Sequence, residues 1–305
     1  MTSDVRIIAA ALAAAACVPS CAYGEAGEPH HSVSTDAFAS TDADGTDVYR
    51  AGVNLDLRYH SDEQLFGVRY EQAWYKPLSR RTRTRERAFI RYADKGAGWS
   101  WTAQVGTDGS TVIGSANIHN EAPLRKEYFV ERDLVETPRG VDEGIYYTFV
   151  GAAIDVPVDQ RNGLTLVGGV QEFTGKNVRL HARLNFTHSL KSEWGLSLQL
   201  RSRYYHSTHP GEFDYYSPTY YVQVLPALQM RRYSGGWRYM IAAGLGVQRD
   251  SGSGWTQSRF ATAEITSPSD RKGWFVKASM QYTNTPLRLG IYDYGQLSVA
   301  LGNRF

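Results

Sequence analysis

The chain has 305 residues, and its 33 Lys and Arg against 31 Asp and Glu leave a formal net charge of only +2. That balance excludes a globally basic nucleic-acid-binding surface. No apolar run reaches the roughly 18 residues a spanning helix needs. Twenty Tyr, 7 Trp, 11 Phe and 29 Gly beside only 4 Met and 11 Pro make a strand-forming composition.

Residues 7–18 are apolar and Ala-rich, Arg6 precedes them, and Ala22, Tyr23 and Gly24 supply small residues at the spacing a signal peptidase reads. Residues 1–24 therefore read as a secretory signal peptide. Both cysteines, Cys17 and Cys21, fall inside it, so the mature chain is expected to hold no thiol and no disulfide. Residues 25–47 carry Glu25, Glu28, Asp36, Asp42, Asp44 and Asp47 and no Lys or Arg. With so little apolar surface they read as a disordered acidic periplasmic tail. Residues 1–47 hold those six acids and Asp4 against Arg6, a charge of −6, so the overall +2 leaves +8 on residues 48–305.

From Tyr49 onward the hydrophobic period is two. Ala51, Val53, Leu55 and Leu57 alternate with Arg50, Gly52, Asn54 and Asp56; the same holds around Leu180, Leu198, Val222, Ile241 and Val276. Such alternation predicts half-buried strands. At about 10–14 residues they exceed the usual soluble strand of about 5–6. Tyr49, Tyr59, Trp194, Tyr204, Trp237, Trp274 and Tyr282 stand at strand ends, where a transmembrane barrel places its interfacial rings. Short polar turns separate the strands, as in an antiparallel meander. Leu297, Val299, Leu301, Asn303 and Phe305 alternate to the C-terminus. This resembles the terminal signature of bacterial outer-membrane barrels, with Asn303 where an apolar or aromatic residue is more usual. The expected fold for residues 48–305 is all-β: a closed antiparallel transmembrane barrel of 14 or 16 strands, 16 being the favoured count.

With the apolar face outward, the lumen receives Arg50, Arg58, Arg69, Arg179, Arg183, Arg201, Arg203, Arg231, Arg238 and Lys277, along with Asn185, Gln199, Tyr205, Tyr221, Gln223 and Gln281. Asp56, Glu71 and Glu264 are the acids on the same face. A tube lined by one sign of charge concentrates the opposite sign, and rings among hydrogen-bonding groups suit sugar faces. The other reading of these arginines is that they pair with lumenal or loop acids and keep the pore hydrated. No metal-ligand or nucleophile-elbow spacing joins His181, His188, His206, Ser207, His209, Glu212 and Asp214, so no catalysis and no cofactor are expected. Residues 120–143 and 206–218 break the alternation; they read as solvated loops, the alternative being a gate folded into the mouth.

The sequence Pro-Gly-Glu-Phe-Asp-Tyr-Tyr-Ser-Pro-Thr-Tyr-Tyr at 210–221 precedes a strand ending in Arg231 and Arg232; Gly-Trp-Arg-Tyr follows at 236–239 and Gly-Leu-Gly-Val-Gln at 244–248. Across residues 193–249 this resembles the C-terminal barrel of exopolysaccharide exporters, the cellulose-synthase C subunits and poly-N-acetylglucosamine export porins, without their helical-repeat region. The resemblance implies a passive pore of about 16 strands in the outer membrane of a Gram-negative bacterium. It would secrete a polysaccharide into a biofilm matrix, with outer-membrane lipid, the barrel-assembly machinery and a periplasmic polysaccharide-export protein as partners. A diffusion porin or specific channel for small anionic solutes is the alternative, followed by an outer-membrane lipid enzyme or surface receptor.

Overall fold

The computed structural model describes residues 30–268, 273–287 and 290–305; the expected signal peptide at 1–24 lies outside them. The first strands are β1 (His30–Asp42), β2 (Asp47–Ser61), β3 (Gln64–Lys76) and β4 (Arg83–Gly96). Next come β5 (Trp99–Thr107), β6 (Val112–Asn120) and β7 (Arg125–Leu134), a one-turn helix α1 (Pro138–Glu143), and β8 (Tyr146–Pro157). They are followed by β9 (Asn162–Phe173), β10 (Val178–Lys191), β11 (Leu196–Ser207) and β12 (Tyr220–Ser234). The last are β13 (Trp237–Asp250), β14 (Thr256–Thr266), β15 (Gly273–Leu287) and β16 (Gly290–Arg304). Each strand pairs antiparallel with its sequence neighbours, and β1 pairs with β16, so the 16 strands close into one barrel.

The faces are inverted relative to a soluble sandwich. Ile90, Ile241 and Leu245 are 59%, 52% and 64% exposed on the outside, while Asp56 and Gln248 are 2% and 0% exposed within. Only hydrocarbon makes that arrangement favourable. Outward rings cluster toward the strand ends, with Phe66, Trp101, Tyr239 and Trp274 near the end holding the termini and Tyr204 and Tyr282 toward the other. The long connections, 135–145 and 208–219, both fall at the end opposite the termini, the loop end.

Two expectations change here. Residues 30–42 are not a disordered tail but the closing strand β1. A barrel strand needs backbone partners on both sides and no large side chains, so small residues at Val33, Thr35, Ala37 and Ala39 suffice outside. Asp36 points inward, where Arg69 neutralises it. Ser32 Oγ donates to Asp56 at 2.7 Å, and Asn54 Nδ2 donates to Asp36 at 3.0 Å. The seam ends with reciprocal backbone bonds between His31 and Phe305, at 2.9 and 3.0 Å. The second change is local. A register shift between Asp56 and Arg58 slips β2 against β3 by one residue. A slip of one residue exchanges faces. Arg58 therefore lies opposite outward Phe66, 3.8 Å from Asp94, and not in the lumen. Tyr59 turns inward and is buried rather than joining an interfacial belt.

Ile241→Arg, on the outer face of β13 one outward position inside Tyr239, is expected to destabilise the folded barrel by about 1–3 kcal/mol. Gln281→Arg, on the lumenal face of β15, should change stability by less than about 1 kcal/mol. Urea unfolding in lipid vesicles followed by tryptophan fluorescence measures both.

Candidate functional site: a two-sided lumen under an interlocked mouth

The lumenal wall of β1–β4 is charged but neutralised. Arg69 pairs with Asp36 and, at 2.5 Å, with Glu71; Arg87 lies 2.9 Å from Glu71 and 2.7 Å from Asp133; Arg91 lies 2.8 Å from Asp56. Arg50 reaches Glu136, in the connection after β7. Buried arginines of this kind are held only because each fork finds a carboxylate. For Arg50 and Arg69, the reading that lumenal arginines pair with acids therefore describes the structure. Sequence inspection missed most of these acids because Asp36 sat in the assigned tail and Asp133 and Glu136 in an assigned loop. In fact Arg125–Leu134 is strand β7, and only 135–145 leaves the wall.

The wall made by β10–β12 differs. Arg179, His181, Arg183 and Asn185 point inward from β10, and Gln199, Arg201, Arg203 and Tyr205 from β11. Tyr221 and Gln223 do so from β12. No Asp or Glu occupies a lumenal position in β9–β12. Arg183 lies directly opposite Arg203 in the ladder, and Asn185 opposite Arg201. Among the described residues Arg183 and Arg203 make no ion pair and no hydrogen bond. Arg201 Nε donates to Gln199 Oε1 at 2.8 Å, and its guanidinium lies 4.3 Å from the Phe260 ring. Arg183, Asn185, Arg201, Arg203, Gln223 and Gln281 share a cavity of about 250 Å³.

Immediately toward the loop end lies a row of rings that sequence inspection saw only in part. Phe129 and Phe149 are 5.3 Å apart, Phe149 and His181 5.0 Å, His181 and Tyr205 5.6 Å, and Tyr205 and Tyr221 4.9 Å. The row crosses from β7 to β12. Glycine makes it possible: a Cβ at Gly151 would sit 2.4 Å from Phe129, and one at Gly169 2.5 Å from Phe149. The available signal was an aromatic on one strand beside an inward glycine on the next.

The other expected lumenal groups do not join this cluster. Lys277 pairs with Asp62 in the β2–β3 turn near the termini, and Arg238 donates to Thr266 Oγ1 at 3.3 Å. Arg231 faces the same end, three residues before the end of β12 in an exposed stretch.

At the loop end the two long connections pack into the mouth rather than projecting as solvated loops. Val141 of α1 and Leu134 bury among Val48, Ala73, Tyr75, Phe89 and Ile113 on the β2–β6 wall. Those apolar residues occupy lumenal positions, which require a cover. Tyr215 of the 208–219 connection stacks on Phe173 at 4.3 Å and buries with Val135 and Ile145. Asp214 joins the two connections, accepting from Thr137 Oγ1 at 2.6 Å and from the Arg139 backbone N–H at 2.8 Å. Arg179 Nη2 donates to the Tyr216 carbonyl at 2.5 Å. Beneath, Phe38, Arg50, Gln171, Arg179, Tyr215 and Tyr294 line one cavity of about 440 Å³, so opposite walls approach closely. The Arg139 hydrogen bond holds the exposed Glu143 carboxyl below its ordinary range. That pairing therefore persists above the usual carboxylate range and is lost only as pH falls through the lowered value.

The polar groups considered for catalysis are scattered over both ends of the barrel and its outer face. Ser207 Oγ accepts from Arg179 Nε at 3.3 Å, and Glu212 accepts from the backbone N–H groups of Lys176 and Asn177 at 2.7 and 2.8 Å. His188 bonds Asn162 at 2.8 Å, His209 bonds Thr208 at 3.1 Å, and His206 lies on the outward face opposite Leu180.

This is the architecture of a closed transmembrane barrel of 16 strands with a polar lumen. It is similar to a solved bacterial polysaccharide outer membrane secretin, with a TM-score of 0.68 at 14% identity over 92% of this chain and 99% of that one. Weaker likenesses are to Pseudomonas aeruginosa OccK11 (OpdR), at TM-score 0.46 and 10% identity over 93% of this chain and 100% of that one. Another is to the KdgM porin in complex with disordered oligogalacturonate, at 0.35 and 10% over 89% and 99%. No protein-family profile matches the chain, and no curated protein matches it in sequence. The resemblance to exopolysaccharide-export barrels extends in architecture well beyond residues 193–249, and the described residues contain no helical-repeat region.

Asp214→Ala should release the two connections from each other and raise the open fraction in single-channel recordings. An unchanged trace would show that this carboxylate does not hold the mouth shut.

Proposed function

We propose that the chain forms a channel in the outer membrane of a Gram-negative bacterium through which a polysaccharide is secreted, the termini facing the periplasm and the long connections facing outward. The observation that carries this reading is the wall of β10–β12. There a row of rings lies beside Arg183 and Arg203, two guanidinium groups that have no protein acceptor among the described residues. Arg179, Arg183, Gln199, Arg201, Arg203, Tyr205, Tyr221 and Gln223 would form the path. Arg231, Arg238 and Lys277 would line the periplasmic entrance. Rings support sugar faces through C–H contacts, while amides and guanidinium groups hold hydroxyls. No cofactor is needed, because a passive conduit performs no bond chemistry. The barrel-assembly machinery and outer-membrane lipid would be its partners in assembly. A separate periplasmic export protein would deliver the polymer.

A diffusion pore for small anions would use the same arginines, but the interlocked connections weigh against a permanently open mouth. The two readings differ in a simple experiment. Replacing residues 135–145 by a Gly-Gly link should convert a closed resting channel into one with steady, anion-preferring current in planar bilayers. Deleting the gene should abolish secretion of the polymer while leaving small-solute uptake unchanged. Cation preference in the shortened protein, or undiminished matrix in the deletion strain, would contradict the proposal.

A further inference from the structure

The proposed path has a charge asymmetry that a neutral cargo would not explain. Two arginines opposite each other in a ladder repel, and such pairs are destabilising. The pair Arg183 and Arg203 is kept without a carboxylate anywhere on the lumenal faces of β9–β12. The opposite wall shows what this chain does when an arginine is structural, since Arg69, Arg87 and Arg91 of β3 and β4 each have an acid within 3 Å and Arg85 has Asp108 at 3.7 Å. The free pair also sits beside an unmet acceptor. Asn185 Oδ1 is buried without a partner in the same cavity, and His181 Nδ1 likewise in the ring row.

The ladder registers fix the geometry. Gly169, His181, Tyr205 and Tyr221 form one lumenal row; Val167, Arg183, Arg203 and Gln223 form the next; Thr165, Asn185, Arg201 and Leu225 form the third. Successive rows are two residues apart, about 7 Å along the strands. Tyr205 and Tyr221, 6% and 3% exposed and stacked on each other, wall the loop side of the Arg183–Arg203 pair, and those two guanidinium groups stand exposed to a chain in the lumen. Arg201 and Asn185 meet the next residue of the chain toward the termini. Guanidinium forks match planar oxyanions with two parallel hydrogen bonds. Asn185 Oδ1 can accept only a hydroxyl or an N–H, and a sugar carries hydroxyls.

We propose that the cargo is an anionic glycan, with carboxylates on its sugars, and that Arg183, Arg201 and Arg203 with Asn185 form its carboxylate subsite. The inference rests on the secretion-channel reading and adds the charge class of the polymer to it. It also assigns the two walls separate work: β1–β4 holds the barrel's internal charge in balance, and β10–β12 holds the chain in transit.

The test is titration calorimetry of the full chain in detergent micelles with three probes of equal length: hexamers of galacturonate, glucose and glucosamine. Monomeric galacturonate serves as a fourth. The galacturonate hexamer should bind best, and its affinity should fall as salt rises. Arg183→Gln with Arg203→Gln should weaken it by at least about tenfold, the loss of roughly one charge-assisted pair, and leave the glucose hexamer unchanged. Arg183→Lys with Arg203→Lys, which keeps the charge and loses the fork, should fall between. Heat-modifiability on gels confirms that each variant remains a folded barrel. Equal or tighter binding of the glucose or glucosamine hexamer, indifferent to Arg183 and Arg203, overturns the anionic class while leaving a glycan channel standing. Binding of monomeric galacturonate alone, with no hexamer bound, overturns the secretion-channel reading itself.

Discussion

Everything in this molecule follows from the requirement that no backbone N–H or C=O be left unpaired in hydrocarbon. A sheet meets that requirement only by closing, and closure here depends on β1 meeting β16 along eleven residue pairs, from Ser32–Arg304 to Asp42–Tyr294. Ladder bonding carries that seam, because β1 offers few large apolar side chains. Once the ring is closed, the outer face is committed to lipid and the inner face is free to hold charge.

The inner face divides that freedom unevenly. On the β1–β4 side, acids and arginines interlock into a network that takes in β7 through Asp133 and the connection after it through Glu136. On the β10–β12 side, Arg183 and Arg203 stand exposed, facing the proposed cargo. The mouth is built differently again. Apolar side chains at inward positions, Val48, Phe89 and Ile113 among them, are covered by Val141 of α1, so the chain fills part of its own lumen with an ordinary hydrophobic core. Asp214 then ties that cover to the second connection, which stands on Phe173 and Arg179.

The barrel was legible in the sequence wherever the two faces differed in polarity. Around Leu180, Leu198 and Ile241 the alternation fixes strand, face and direction without help. It failed at β1, whose outward residues are too small to register as apolar and whose Asp36 looks solvated until Arg69 is known to stand beside it. It failed at Arg58 and Tyr59, because a one-residue bulge is invisible to a period-two pattern. It failed again across β7, where Glu127, Glu131 and Asp133 are inward charges on a strand rather than marks of a loop. Of the candidate site, the arginines, glutamines and tyrosines of β10–β12 were legible because parity alone assigns them to one side. Their lack of acidic partners was not, since it depends on which distant acids the topology brings near. The ring row across Phe129, Phe149 and His181 was likewise out of reach, because it runs perpendicular to the chain.

The seam also has a kinetic meaning. Residues 30–42 find their last partner only in residues 290–305, so the final pairing closes the longest loop the chain possesses. Contacts of such separation are slow to form. Until they form, β1 and β16 both present open edges that invite pairing with other chains. The reciprocal bonds between His31 and Phe305 make the terminal phenylalanine one of the final stitches. Whatever escorts the unfinished sheet must therefore shield two bare margins at once until nearly the whole chain is in place.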